Sequence, residues 1–322
     1  MNQWLLNELF DLGSQANPEY ATNSTLHWMR ALAILVAKEE FTDESLAEHY
    51  ASVTRRSVDS VADTRSFECL LMAMHNASSL NSLKEVAKPY NVVRSAVVAW
   101  YYTIYESASA MNLAWSGNNS ETHAKTAKIW HNNIIDGNKC IGPFALHLNT
   151  LVKEKVKERV DSLKNGASFK LYHLPETNRD AWGAVCSYLS GTAEYERAKA
   201  EASIKNESGF KALDVGDFRK KVAREFRDSR LGQRQVNFLV QAFRFRGKAN
   251  YRDSIYLSYG ENHEDKITQF LDDLAGVGCA FLKMAVYFVS RRVVEDSWNC
   301  FVADLKENCL IDLPVDLSED YG

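Results

Sequence analysis

The stretch Val92–Trp115, VVRSAVVAWYYTIYESASAMNLAW, decides the fold class. It contains neither Gly nor Pro, and Val93, Val97, Trp100, Ile104 and Ala108 recur at helical spacing to form one apolar stripe. Small Ser and Ala residues occupy much of the rest, so a neighbouring helix can approach closely. A helix this apolar belongs at the centre of a bundle, and Ser116-Gly117-Asn118-Asn119 ends it.

Helical periodicity continues on both sides. Upstream, Phe67, Leu70, Leu71 and Met74 open a pattern that runs to Val86, where Pro89 interrupts it by forcing its predecessor out of the α region. Leu26–Lys38 reads as a helix opened by Asn23, Ser24 or Thr25. Thr42, followed by Asp43 and Glu44, starts another with acids where the helix dipole favours them. Downstream, a helix is expected from about Glu121 to Ile135 with Ser120 as its cap. DGNKCIGPF reads as a loop, Leu146–Leu163 as a charged amphipathic helix and FKLYHLPE as a short strand or extended segment. Asp180–Ala202, Asp217–Ser229, Arg234–Gly247 and His263–Val294 complete the helices. Strand-type alternation is nearly absent. The expected fold is all-α: an antiparallel helical bundle with additional helical N-terminal and inserted segments.

Composition agrees and removes several function classes. The chain has 322 residues, 46% apolar and 25% charged, with only 15 Gly and 5 Pro, enough to bury a core without disulfides or metal. No run of about 18 apolar residues appears, since Gly278–Ser290 is short and carries Lys283. Met1–Phe10 lacks the basic-then-apolar order of a secretory signal. No membrane partner is therefore expected. The six cysteines are scattered without metal-binding spacing and read as free thiols of a cytoplasmic protein. HExxH, GxxxxGK[ST], GxSxG and GxGxxG are all missing, and Gly276-Val277-Gly278 falls inside a helix, where it reads as a packing device. No metal or other cofactor is expected.

Charge is strongly segregated. Between Arg219 and Arg252 stand eleven basic residues and two acids, a local charge of +9 in a chain of net −4. FRKKVAREFRDSR sets Lys220, Arg224 and Arg227 on one helical stripe and Phe218, Val222 and Phe226 on another. Such a face suits a phosphate backbone, which makes Arg219, Lys220, Lys221, Arg224, Arg227, Arg230, Arg234, Arg244 and Lys248 nucleic-acid-binding candidates. A solvated face that pairs with the acidic tail, or a subunit interface, is the plainer alternative.

Two segments together resemble a known family. AWYYTIYESASAMNLA is similar to an "AYYAxFxAAxAL" core, and THAKTAKIWHNNI resembles the "THxGVxxLF" run that follows it. QAFRFRGKANYRDSIYLSYG, Gln241–Gly260, resembles "AxxLRxxADYxD", with a long helix after it. In this order they resemble the HEPN (higher eukaryotes and prokaryotes nucleotide-binding) superfamily, in particular its small bacterial members. On that resemblance residues 61–135 plus 236–294 form the HEPN-like bundle. Residues 1–60 are then a helical extension, 136–235 a mostly helical insertion with the basic helix, and 295–322 an acidic tail.

The resemblance implies a bundle that is often dimeric, found in toxin–antitoxin and antiviral systems. Many members are metal-independent RNases that use an Arg and a His four to six residues apart. A neutral His takes the proton of an RNA 2′-hydroxyl while Arg holds the phosphate. In this chain no Arg is followed by a His at that spacing, so the pair must come from different helices. His123 and His131, eight residues apart and expected on one helix face, with Arg246 and Arg252 of the second motif, are the candidates. Each has a structural alternative, as a cap, a core histidine or a buried hydrogen-bonding arginine. The functional expectation is a protein that engages RNA ahead of DNA. The competing expectation is a non-catalytic scaffold, a homodimer or hetero-complex subunit binding a nuclease or ATPase.

Overall fold

A computed structural model of the chain describes residues 4–11, 18–37, 41–252, 254–257, 259 and 263–317. The central stretch is α5, Val93–Ser116. Its end is set by Gly117, whose φ of 69° is left-handed and whose N–H bonds back to Leu113. Before it lie α1 (Trp4–Asp11), α2 (Pro18–Val36), α3 (Asp43–Tyr50) and α4 (Ser60–Lys84). Behind it come α6 (His123–Trp130), α7 (Lys153–Lys164), α8 (Asn178–Ile204), α9 (Ser208–Lys211), α10 (Lys221–Leu231), α11 (Phe238–Gly247), α12 (Glu264–Arg292) and α13 (Glu295–Asn308). No strand occurs among the described residues, so the fold is all-α as the periodicity requires; one isolated bridge joins Leu148 and Val236.

The core follows from the apolar stripe. α5 packs against α4 and α12, and α2 packs against α8 and α12. Trp100 of α5 is fully buried, edge-on to Trp28 of α2 at 5.9 Å and to Phe245 of α11 at 5.4 Å. Rings meeting edge-to-face at these separations contribute beyond their buried area. α12 alone among the described residues is long and apolar enough to cross a membrane, and 83% of its apolar window is buried inside the bundle.

Helix starts follow the cap chemistry. Thr42 accepts from the N–H of Ser45, Asp59 from that of Ala62, and Thr177 forms a capping box with Asp180. α2 begins at Pro18, upstream of the Asn23–Thr25 start expected for it. α6 is capped by Thr122 without a side-chain bond instead of by Ser120, whose carbonyl accepts from Thr126. The basic helix starts at Lys221, later than the expected Asp217. Phe169–Glu176 forms no strand: it turns at Leu171–Tyr172 and bends at His173. Ser168, just before it, lies against α8, where Gly183 is indispensable: a Cβ there would meet the carbonyl oxygen of Ser168 at 2.3 Å.

Two readings of small features change. Gly276 faces open space and a Cβ on Gly278 would meet Trp100 at an ordinary 3.5 Å, so close packing does not demand either glycine. Residues 295–308, acidic in composition, form α13, which buries Trp298 and Leu305 and stacks Phe301 on Phe67 at 4.5 Å. All six cysteines are unpaired, Cys140 and Cys186 deep inside.

Candidate functional site

The site begins with one buried asparagine. Asn237 caps α11 by accepting from the N–H of Val240 at 3.1 Å, and its Nδ2 donates to the carbonyl of Ala127 in α6 at 2.8 Å. One side chain thus satisfies an orphan helix donor and ties two helices together. The Leu148–Val236 bridge anchors the residue just before it, with bonds of 2.8 and 2.9 Å. Between α6, the 233–237 segment, α11 and α8 this leaves a cleft of about 330 Å³.

His123 stands at the start of α6 and lines this cleft. Its Nδ1 lies 2.8 Å from the hydroxyl of Tyr101 in α5. Its ring stacks on Phe243 of α11 at 5.1 Å and meets Tyr105 edge-on at 4.5 Å. The guanidinium of Arg246 lies over Tyr101 at 4.8 Å and over Phe243 at 5.3 Å. Its Nε is buried and has no hydrogen-bond partner among the described residues. Burial first, then the Arg246 charge, holds the His123 pKa below the ordinary histidine value. The imidazole is neutral at pH 7.

The cleft is cationic. Lys128, Lys199 and Arg234 line it, and its one carboxylate, Glu196, sits 3.4 Å from Lys199. A neutral histidine held by a tyrosine, an exposed aromatic face and several cations suit a phosphodiester flanked by a flat base.

The other sequence candidates scatter. His131 is not beside His123. The α-helix gives way to a π-helical turn, His131–Ile135, and His131 is fully buried outside the cleft. It lies 3.4 Å from Asp136 and against His147, and burial lowers its pKa despite the aspartate. Arg252 closes a second π-helical turn, Lys248–Arg252, and its side chain lies outside the described residues.

The basic run divides. Arg219 pairs with Asp217 at 3.2 Å, Lys221 with Glu225 at 3.8 Å, and Arg230 with Glu207 at 2.9 Å. Arg227 holds Asp228 at 2.8 Å and Glu201 at 3.7 Å. Arg224 bonds the Arg219 carbonyl, and Lys220 caps α10 in the open. Arg234 is exposed in the cleft, whereas Arg244 and Lys248 face a second cavity.

Sequence reasoning missed Tyr101, Phe243, Lys128, Lys199 and Asn237. Tyr101 and Tyr105, one turn apart on α5, were the readable signal of a tyrosine pair facing one neighbour. Lys199 had none, because which face of α8 meets α11 is a tertiary fact. Comparison with protein-family models, with curated proteins and with solved structures finds no match.

Proposed function

We propose that the protein binds single-stranded RNA in the His123 cleft and cleaves it without a metal ion. The observation that carries this reading is the convergence of His123 and Arg246 on the ring of Tyr101. In the tautomer whose Nδ1–H donates to the tyrosine oxygen, Nε2 is the proton acceptor, and the proposal requires that tautomer. Nε2 takes the proton of a ribose 2′-hydroxyl, whose oxygen attacks the adjacent phosphorus. The bond to the 5′-oxygen breaks, that oxygen takes a proton from solvent, and a 2′,3′-cyclic phosphate remains. Arg234, which lines the cleft, holds the phosphoryl oxygens as charge builds on them, while Arg246 bears on the His123 imidazole.

A HEPN-like identity is part of this proposal. The packing of α5 against α11 and α12, with Arg94 Nε donating to Asn250 at 3.3 Å, supports it. The setting in prokaryotic defence or a toxin–antitoxin pair rests on that resemblance alone. The test is cleavage of a labelled RNA in excess chelator by wild type and His123→Ala. The variant should lose about 10²- to 10⁴-fold in rate. Equal rates, or no cleavage by wild type, would refute the catalytic reading.

A further inference from the structure

The seam between α8 and α11 continues past the His123 cleft. Glu196 and Lys199 share that cleft with Val240 and Phe243, whereas Tyr188 and Gly191 share a second cavity, of about 140 Å³, with Arg244 and Lys248. The numbers fall along α8 as they rise along α11, so the helices run antiparallel and the cavities lie along one line.

Between them lies a ladder of rings and cations. The Arg244 guanidinium sits 5.0 Å over Tyr195 and 5.4 Å over Tyr188, and its Nη1 donates to Thr192 at 2.9 Å. No carboxylate among the described residues pairs with Arg244, and none lines the second cavity. Lys248 Nζ donates to Ser24 at the far end. Tyr195 is 44% and Phe243 41% exposed, large for rings beside cations. His27 on the cavity wall is 2% exposed, and its Nδ1 has no hydrogen-bond partner among the described residues. Exposed rings interleaved with arginine and lysine are the means by which proteins hold unpaired bases and the phosphates between them.

We infer that the seam is a track for one RNA strand and that the second cavity holds a phosphodiester remote from the one at His123. The inference rests on the single-stranded RNA reading of the His123 cleft and narrows its substrate to strands of several nucleotides. Tyr188 and Lys199 are separated by about 16 Å at the helical rise of 1.5 Å per residue. At about 3.4 Å per stacked nucleotide, the track spans roughly five. Duplex RNA does not fit, because its bases are not free to lie on Tyr195 or Phe243.

Gly191 supplies the test. A Cβ there meets Arg244 Nη1 at an ordinary 3.8 Å, so Gly191→Leu places its side chain in the second cavity without changing charge. Binding of 5′-labelled 2′-O-methyl oligouridylates of two to ten nucleotides, which lack the attacking hydroxyl and stay intact, is read by fluorescence anisotropy. Wild-type affinity should climb with length to about five nucleotides and then level. Gly191→Leu should weaken the decamer about tenfold, the scale of one lost stacking contact, and spare the dinucleotide. Arg244→Gln should do the same, which keeps the test open if the leucine variant misfolds by circular dichroism. Equal wild-type affinity for dinucleotide and decamer, or decamer binding untouched in both variants, overturns the track and leaves the cleft standing. Failure of every oligouridylate to bind wild type overturns both. Polyglutamate binding as tightly as the decamer overturns the track too, since charge alone would then explain it.

Discussion

The guanidinium of Arg246 lies 4.8 Å from the ring centroid of Tyr101, and the hydroxyl of that ring sits 2.8 Å from His123 Nδ1. Arginine therefore bears on histidine through space while tyrosine orients it. Arg246 disfavours the imidazolium, adding to the effect of burial. Removing the charge in Arg246→Met should raise the His123 pKa toward, but not to, 6.5, because burial persists. An NMR titration of the ring protons reads this without reference to activity. In cleavage assays the acid limb should move to higher pH, since a base with a higher pKa is protonated earlier as pH falls. A pKa that stays put or drops would remove Arg246 from the site.

Tyr101→Phe separates orientation from binding. The hydroxyl holds the imidazole by its Nδ1, and a neutral hydrogen bond contributes about 1 kcal/mol. The expected result is a fall of about tenfold in kcat with KM held, while His123→Ala in the same assay loses far more. A change confined to KM would make Tyr101 a ring surface for substrate instead of a positioning residue.

Asn237 carries two jobs with one amide, capping α11 and fastening it to Ala127. Asn237→Ala should cost about 2 kcal/mol in urea unfolding, from a lost cap and a buried carbonyl left without its donor. Asn237→Asp keeps the acceptor for Val240 but sets a carboxylate against the Ala127 oxygen and into a cationic cleft. It should be at least as destabilising and should also weaken RNA binding. Wild-type stability in both variants would show that packing alone seats α11.

His27 gives the fold a pH dependence of known sign. Burial foremost, then Lys266 and His173, lowers its pKa from 6.5 to about 4. Between those values the unfolded chain takes up a proton that the folded chain refuses, so stability is full above pH 6.5 and is lost as pH falls toward 4. The loss from this residue is at most about 3 kcal/mol. His131, buried and also lowered, acts in the same direction. Urea unfolding at pH 7, 5.5 and 4 should show the fall, and His27→Phe should shrink it. Parallel curves for wild type and variant would place the acid sensitivity elsewhere.

What the sequence revealed and what it concealed divide along physical lines. α5 was legible because its apolar stripe, its lack of breakers and the left-handed Gly117 all act locally. His123, Arg234 and Arg246 were legible as chemistry, though not as neighbours. His131 was misplaced by a loose count: at 3.6 residues per turn and 1.5 Å rise, eight residues set it about 80° round α6 and about 12 Å along the axis from His123. The pairing of the basic stripe was hidden for a different reason. Its counter-charges, Glu201 and Glu207, come from α8 and the turn after it, where no local count finds them. Acidity likewise concealed α13, whose attachment depends on Trp298 and Phe301 meeting Phe67.

Those ion pairs predict which arginines meet RNA. Arg227 is committed to Asp228 and Glu201 and Arg230 to Glu207, whereas Arg234 is exposed in the cleft with no carboxylate partner among the described residues. A cation already neutralised releases few counterions when a phosphate arrives. Arg234→Ala should therefore weaken oligouridylate binding and reduce the slope of log affinity against log salt by about 0.7, the value for one single-strand phosphate contact. Arg227→Ala and Arg230→Ala should leave the slope as it is and cost under about 1 kcal/mol of stability each, as partly exposed pairs do. The opposite ranking would mean that the strand lies along α10, with Glu201 and Glu207 displaced on binding, and the cleft would lose its claim to the phosphates.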